Sequence, residues 1–296
     1  MYFTDHTTVF HNGEWLHVSE IKADLYSQTM HYGLGAFEGM RAYKTPLGTQ
    51  IFRANEHYRR LLASCEMMGI KCDYSVEDLV AYSYELLNKN NLKNAYIRPL
   101  AYMDANMALR SASSANLFIC AWEWGPLLGE KLLKVMSSSF QRPNPRSLHV
   151  EAKVSGHYVN SILAANEAKA NGYDEALLTD MNGNVAQGPG ANFFFEKDGV
   201  LYTAPRGHIL PGITRATIME LARDLDIRVR EEFFKTEDVE GADAAFFTGT
   251  AAEVIGFESL NGIKFKKPWD TTHGYTLRHA YKSLVLSAEA HIIDVV

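Results

Sequence analysis

Strand-like and helix-like stretches follow one another in mixed order on both sides of residue 130, and this order limits the possible folds more than any other feature of the chain. TTVFHNGEWLHVS reads as a hairpin turning at Asn12-Gly13, because an Asn-Gly pair accepts the positive φ angles that match strand twist. HYGLGAFEGMRAYKTPLGTQIFR, rich in aromatics and glycine, predicts two strands joined near Pro46–Gly48. Asn55 is expected to cap a helix over EHYRRLLASCEMMGI, with Leu61, Leu62, Cys65 and Met68 on its apolar face. Ser75 and Asp78 form the capping-box signature of a second helix running to about Asn88. NAYIRPLAYMD and ANLFICAWEW read as strands, and GPLLGE as a connector.

Beyond that connector, KLLKVMSSSFQR runs from a strand into a loop, and the helix SILAANEAKANGY stops at Asn171-Gly172. Strands follow at EALLTD, VAQ, NFFFEK and VLYTA, turning at Asn182-Gly183 and Asp198-Gly199. Thr214 opens a helix, RATIMELARDLDI, with Ile218, Leu221, Ala222 and Leu225 spaced for one face, and Thr236 caps a shorter one. AAFFTG and EVIGFES read as strands before a last helix over Tyr275–Ala290. The pattern is α+β, with two mixed domains at 1–125 and 135–296 joined by a linker at 126–134. No clean βαβ series supports a dinucleotide-binding fold.

The chain has 296 residues, enough for one or two domains, and its formal net charge of -6 argues against a dedicated nucleic-acid binder. Cys65, Cys72 and Cys120 have no metal-ligand or redox spacing, which fits a reducing compartment. MYFTDHTTVFHNGEWL lacks a basic and then apolar leader pattern, and no apolar run approaches a membrane span, so a cytoplasmic location is expected.

Two segments carry the chemistry. EAKVSGHYVN places Lys153 ahead of the Gly/Pro-rich VAQGPGANFF. A lysine amine can form a Schiff base with an aldehyde cofactor, and the glycines let backbone approach a ligand closely. A lysine taken alone is most often a solvated surface group. LPGITRA puts Gly212, Ile213 and Thr214 at a helix start, where backbone N–H groups can bind an anion, although an ordinary capped helix has the same sequence. Gly249 and Thr250 follow a strand in the same manner. Arg60, in FRANEHYRRL, offers a planar fork suited to phosphate. Tyr96 and Arg98 alternate with Ile97 in AYIRPL, so on a strand both point the same way.

These motifs, in this order and together with HYGLGAFEGMR and FFTGTAAEV, resemble the branched-chain-amino-acid aminotransferases, a fold-type-IV, pyridoxal-phosphate-dependent family. The resemblance runs from His31 to Gly262. It implies a fold of two mixed domains with the active site at their interface. Lys153 would carry the Schiff base and the proton transfer. Arg60, Ile213, Thr214 and Thr250 would hold the cofactor phosphate, with Leu210, Gly212 and Gly249 beside them, and Tyr158 would bond the phenolic oxygen. Gln187, Gly188, Gly190, Ala191 and Asn192 would lie along the cofactor. Tyr32, Phe37, Gly39, Arg41, Tyr96 and Arg98 would form the side-chain pocket and carboxylate sites. Met107 and Trp124 would add apolar wall, and Thr250-Ala251 further carboxylate donors. The implied partners are amino-acid and 2-oxo-acid substrates, notably 2-oxoglutarate, and a second subunit in a homodimer or multiple of dimers. No metal, nucleic acid or membrane is implied.

Two positions depart from the family pattern. Leu127 stands where some bacterial members have tyrosine, which makes the pocket more apolar. Gln187 stands where the family carries a glutamate paired with the cofactor pyridine nitrogen. A neutral amide lacks the charge that favours the protonated ring, so the carbanionic step is expected to be weaker. The competing readings are a D-amino-acid or (R)-amine transaminase, an aminodeoxychorismate lyase, and a cofactor-binding protein with impaired chemistry.

Overall fold

The computed structural model describes residues 2–110, 114–125, 128–129 and 131–287; Leu127 lies outside them. The described residues fall into two compact units, one within Met1–Gly125, Ala152–Gly156 and Val285–Val296, the other within Pro126–Glu151 and His157–Leu284.

The first unit begins with the hairpin β1 (Thr8–His11) and β2 (Glu14–His17). Asn12 and Gly13 both have positive φ at its turn, as expected of Asn-Gly. The next stretch yields a short helix α1 (Gln28–Tyr32) and three strands, β3 (Gly35–Phe37), β4 (Met40–Thr45) and β5 (Gly48–Ile51), rather than two strands. Ser27 caps α1 by accepting from the Thr29 N–H. Helix α2 (Ala54–Met67) starts after Arg53, held in the left-handed region at φ 51, so Asn55 lies within its first turn instead of capping it. Ser75 caps α3 (Val76–Lys89) as expected. The long strands β6 (Ala95–Tyr102) and β7 (Asn116–Trp122) complete a seven-stranded sheet in the order β2-β1-β7-β6-β4-β5, with β3 also on β6. Period-2 alternation divides the sheet's faces. One face buries Phe10, Met40, Ala42, Ile97 and Ile119 against Tyr58, Leu61, Leu79 and Leu86 of α2 and α3.

The second unit is built on β8 (Leu133–Gln141), α4 (Tyr158–Ala170), β9 (Glu175–Thr179), β10 (Val185–Gln187), β11 (Asn192–Lys197) and β12 (Val200–Thr203). It continues with α5 (Ile213–Asp224), β13 (Val229–Glu231), α6 (Thr236–Val239), β14 (Ala244–Gly249), β15 (Glu253–Leu260), β16 (Ile263–Lys264) and α7 (His273–Leu286). Because β10 pairs with both β9 and β11, the path β10-β9-β8-β15-β14-β11 closes into a ring. Val135, Phe193, Phe195, Phe247 and Phe257 share its apolar core, while Phe194 and Phe246 stack at 5.2 Å on the opposite pleat. Two sequence expectations shift here. Lys235, not Thr236, precedes α6, and Leu225, expected on the buried face of α5, is 45% exposed. The expected end of the last helix, beyond residue 287, lies outside the described residues.

Candidate active site

In the first unit, the sheet face turned away from α2 and α3 holds four of the sequence-predicted substrate residues, Phe37, Arg41, Tyr96 and Arg98. The register sets Arg41 opposite Tyr96, Tyr96 opposite Trp122, and Phe37 opposite Leu100. The Tyr96 ring lies 5.3 Å from Trp122 and 4.9 Å from Trp124. Arg98 stacks over Phe37 at 4.8 Å and over Tyr96 at 5.3 Å, and its Nη2 donates to the Tyr96 hydroxyl at 3.3 Å. Arg98 Nε is buried with no partner among the described residues. Buried donors normally find acceptors, so this atom is a candidate to take a ligand oxygen. Arg41 is committed differently, donating to the carbonyls of Trp124 and Gly125 at 2.8 Å each and so fixing the segment that follows β7. Tyr32 and Met107 are half exposed and joined by a 3.2 Å hydrogen bond from the Tyr32 hydroxyl to the Met107 carbonyl.

Gly39 is required by packing. A Cβ there would fall 1.8 Å from the Tyr96 hydroxyl. The tyrosine ring has tryptophan neighbours at Trp122 and Trp124 and cannot swing aside cheaply. Gly39→Ala is therefore expected to cost about 1–3 kcal/mol of stability, the usual range for overpacking. A melting temperature equal to that of the unaltered protein would overturn this.

Lys153 belongs to the same unit, in the segment Ala152–Gly156. Its N–H donates to Ser64 Oγ at 3.0 Å and its carbonyl accepts from the Phe37 N–H at 3.1 Å. Val154 bridges Ala36, and the Gly156 N–H donates to the Gly33 carbonyl at 3.0 Å. A Cβ on Gly33 would lie 2.6 Å from Gly156 Cα, so a side chain at Gly33 would separate the two segments. Held on both sides, Lys153 places Nζ 4.7 Å from the Phe37 ring centroid, the same ring that Arg98 covers.

Arg60, on α2, is gripped by Glu38, a residue the sequence reading passed over. Glu38 is fully buried and accepts Arg60 Nε at 2.6 Å and Nη2 at 2.8 Å. His57 Nδ1 lies 2.8 Å from the same carboxylate. Burial alone would raise the Glu38 pKa, but the Arg60 guanidinium and the His57 hydrogen bond hold it well below the usual carboxylate range. Burial lowers the pKa of His57, against the raising influence of Glu38. The available signal was a glutamate in the apolar run GAFEGM, where an unpaired charge could not be buried.

In the second unit, the Gly/Pro-rich turn joins β10 to β11. Gln187 opposes Asn192, and the Gly188 N–H donates to the Ala191 carbonyl at 2.8 Å. Gln187 is buried. Its Oε1 accepts the Leu210 N–H at 2.8 Å and its Nε2 donates to the Gly188 carbonyl at 3.2 Å. Asn192 Nδ2 donates to the Leu210 carbonyl at 3.0 Å. The same asparagine explains Gly212, where a Cβ would fall 2.0 Å from Asn192 Oδ1. Gly212 is the N-cap of α5 and supplies no side-chain cap, so Ile213 and Thr214 start the helix with N–H groups that have no intrahelical partner. Such a helix start favours an anion. Thr214 is thus the second helical residue rather than the opening one.

Gly249 ends β14, and Thr250 and Ala251 form the turn after it. A Cβ on Gly249 would approach the Gly190 carbonyl to 3.2 Å, and Thr248 Oγ1 is buried without a partner among the described residues. Tyr158 begins α4 and lines a cavity of about 230 Å³ with Gly188, Gly190, Ala191 and Phe247. Each unit therefore gathers its own share of the sequence-predicted residues. Among the described residues, no group of three or more His, Cys, Asp or Glu is placed to hold a metal ion.

Residues 35–260 match the family model described as amino-transferase class IV. The chain is 39% identical to the branched-chain-amino-acid aminotransferase of Pseudomonas aeruginosa, with 96% of this chain and 94% of that one covered. It resembles the crystal structure of the Escherichia coli branched-chain amino acid aminotransferase with a TM-score of 0.92 at 34% identity, covering 96% of both chains. It also resembles the branched-chain amino acid aminotransferase from Thermobaculum terrenum in its PLP-bound holo-form, with a TM-score of 0.90 at 30% identity over 95% of this chain and 94% of that one.

Proposed function

The chain belongs to the class IV aminotransferase family, with the fold-type-IV architecture, and from that premise we propose that it exchanges an amino group between L-leucine, L-isoleucine or L-valine and 2-oxoglutarate, using pyridoxal 5'-phosphate. The observation that carries this reading is Lys153. Its backbone is fixed at both the N–H and the carbonyl, and its amine sits beside the Phe37 ring under Arg98.

The residues present fit such a cofactor. Lys153 carries an amine of the kind that reacts with an aldehyde. The start of α5 has N–H donors and a bare Gly212 suited to a phosphate, and the buried Thr248 Oγ1 has no partner among the described residues. In this proposal Arg60, Ile213, Thr214, Gly249 and Thr250 hold the phosphate, with Leu210 and Gly212 beside them. Tyr158 bonds the phenolic oxygen and Gln187 meets the ring nitrogen. Gly190, Ala191 and Asn192 let backbone pass close to the ring.

Pyridoxal phosphate, when bound, supplies an electron sink that acidifies the substrate Cα–H. Lys153 Nζ would take that proton from the substrate Cα and release it on the far side of the substrate nitrogen. The amino group would stay behind for the second substrate, and one water would supply the oxygen of the departing 2-oxo acid. Arg98, whose Nε has no partner among the described residues, and the Thr250-Ala251 turn bind substrate carboxylates. Tyr32, Phe37, Tyr96, Met107 and Trp124 form the apolar wall that accepts a branched side chain. Gly39 leaves room for Tyr96, and Arg41 holds the Trp124 segment through its two backbone carbonyls.

In the same proposal the small domain is 1–125, the linker 126–134 and the large cofactor-binding domain 135–296, while the segment Ala152–Gly156 that bears Lys153 groups with the first compact unit. A homodimer fits the exposed Leu25, Tyr26, Met30, Tyr32, Met107 and Leu109, because an apolar surface of this kind ordinarily marks an interface. No described helix is long and apolar enough to cross a membrane, and we place the enzyme in the cytoplasm.

The test is a substrate panel. With 2-oxoglutarate as acceptor, the three branched-chain L-amino acids are expected to be converted, and D-alanine and 4-amino-4-deoxychorismate are not. Preferential turnover of either of the last two would overturn the reading.

A further inference from the structure

Glu38, His57 and Arg60 form a buried cluster that the transamination chemistry does not itself require. Glu38 lies between β3 and β4 with no solvent exposure, and donors surround its carboxylate. Arg60 Nε donates to Oε1 at 2.6 Å. Arg60 Nη2 donates to Oε2 at 2.8 Å, His57 Nδ1 lies 2.8 Å from Oε2, and the Gly39 N–H reaches it at 3.2 Å. The guanidinium is therefore held edge-on in a bidentate fork through Nε and Nη2. Arg60 retains 13% side-chain exposure, whereas Glu38 and His57 retain 0% and 1%.

The helix makes this arrangement directional. His57, Arg60 and Ser64 are spaced i, i+3 and i+7, so all three share one face of α2. His57 and Arg60 close on Glu38, and Ser64 Oγ accepts the Lys153 N–H at 3.0 Å. The helix turn that orients Arg60 is thus continuous with the turn that holds the lysine segment.

We propose that Glu38, steadied by His57, is a positioning residue that sets the orientation of Arg60 for capture of the cofactor phosphate. The inference rests on the reading of Arg60 as a phosphate ligand. Two effects of Glu38 oppose each other. Its negative charge weakens the attraction of the site for a phosphate, while its fork fixes the planar cation that must meet that phosphate. If charge dominated, removing it would tighten phosphate binding. If positioning dominates, removal weakens binding, because a loose guanidinium must be ordered each time a ligand arrives. Loss of one charge-assisted hydrogen bond from such a pair corresponds to about tenfold or more in affinity.

The measurement compares two ligands that differ only in the phosphate. The full-length protein, stripped of cofactor, is titrated with pyridoxal 5'-phosphate and separately with pyridoxal, following the visible absorption of the bound form. The quantity read is the ratio of the two dissociation constants. Glu38→Gln is expected to reduce the preference for the phosphorylated ligand about tenfold or more, with pyridoxal affinity little changed. Glu38→Asp keeps the charge but shortens the reach by about 1.5 Å, so it is expected to lose preference too and serves if the glutamine protein folds poorly. A general loss of structure would weaken both ligands together. Arg60→Gln is the reference. If Arg60→Gln loses the preference while both Glu38 variants keep or increase it, the positioning role is overturned and the phosphate reading stands. If Arg60→Gln itself leaves the ratio unchanged, the phosphate reading fails.

Discussion

Lys153→Ala is expected to bring transamination of L-leucine down by a factor of at least about 10² to 10⁴, the range for loss of a positioned proton-transfer group, with the fold retained. The two claims rest on different atoms. The hydrogen bonds that fix residue 153 come from its backbone N–H and carbonyl, to Ser64 Oγ and from the Phe37 N–H, and an alanine keeps both. What alanine removes is the amine over the Phe37 ring, a contact worth about 0.5–1 kcal/mol at a partly exposed site. Stability should therefore move little while chemistry stops. Phosphate contacts do not involve Lys153 in the proposed site, so the variant should still take up cofactor, without the covalent link. Borohydride reduction followed by peptide mass analysis should locate the link at Lys153 in the unaltered protein and find none in the variant. Near-normal turnover by Lys153→Ala would remove Lys153 from the chemistry.

How much of this was readable in the sequence depended on whether the determining interaction was local. Asn12-Gly13 was legible because a two-residue hairpin needs positive φ at both positions and few pairs accept it. The shared face of Tyr96 and Arg98 was legible because strand alternation has a period of two and β6 is long. Asn55 misled because a good capping residue lay one position inside a helix whose start is instead set by the left-handed Arg53. Leu225 misled because its spacing fits the apolar face, yet it is the C-cap of α5, where the chain turns away. The ring closed by β10 pairing with both β9 and β11 is a long-range event that no window of sequence contains. Glu38 was missed for a related reason. Its partners His57 and Arg60 are remote in sequence, and only the packed α2 brings the guanidinium to the carboxylate. The reason for Gly212 likewise appears only when Asn192 is found beside it.

Gln187→Glu is expected to speed removal of the substrate Cα proton, and the hydrogen bonds around Gln187 explain the direction. Its Oε1 accepts the Leu210 N–H and its Nε2 donates to the Gly188 carbonyl. Reversing the amide would set oxygen against the Gly188 carbonyl and nitrogen against the Leu210 N–H, so the two neighbours together fix which end is which. The side chain can then offer its second Nε2 hydrogen to a ring nitrogen in the proposed site, an arrangement that favours the unprotonated ring. A glutamate would still accept from the Leu210 N–H, but its other oxygen would favour a protonated ring, which withdraws electrons more strongly. Facing the Gly188 carbonyl, that oxygen also meets some repulsion, which takes part of the gain. A tenfold change in the protonation equilibrium of the ring nitrogen corresponds to about 1.4 kcal/mol, and only a fraction of it reaches the transition state. The expected acceleration is thus several-fold, up to about tenfold. Single-turnover kinetics with L-leucine at matched cofactor occupancy isolates the proton-transfer step from cofactor loss and product release. Equal or slower deprotonation in the glutamate protein would mean that the amide is not what limits the step. The electron sink would then be set by ring contacts other than residue 187.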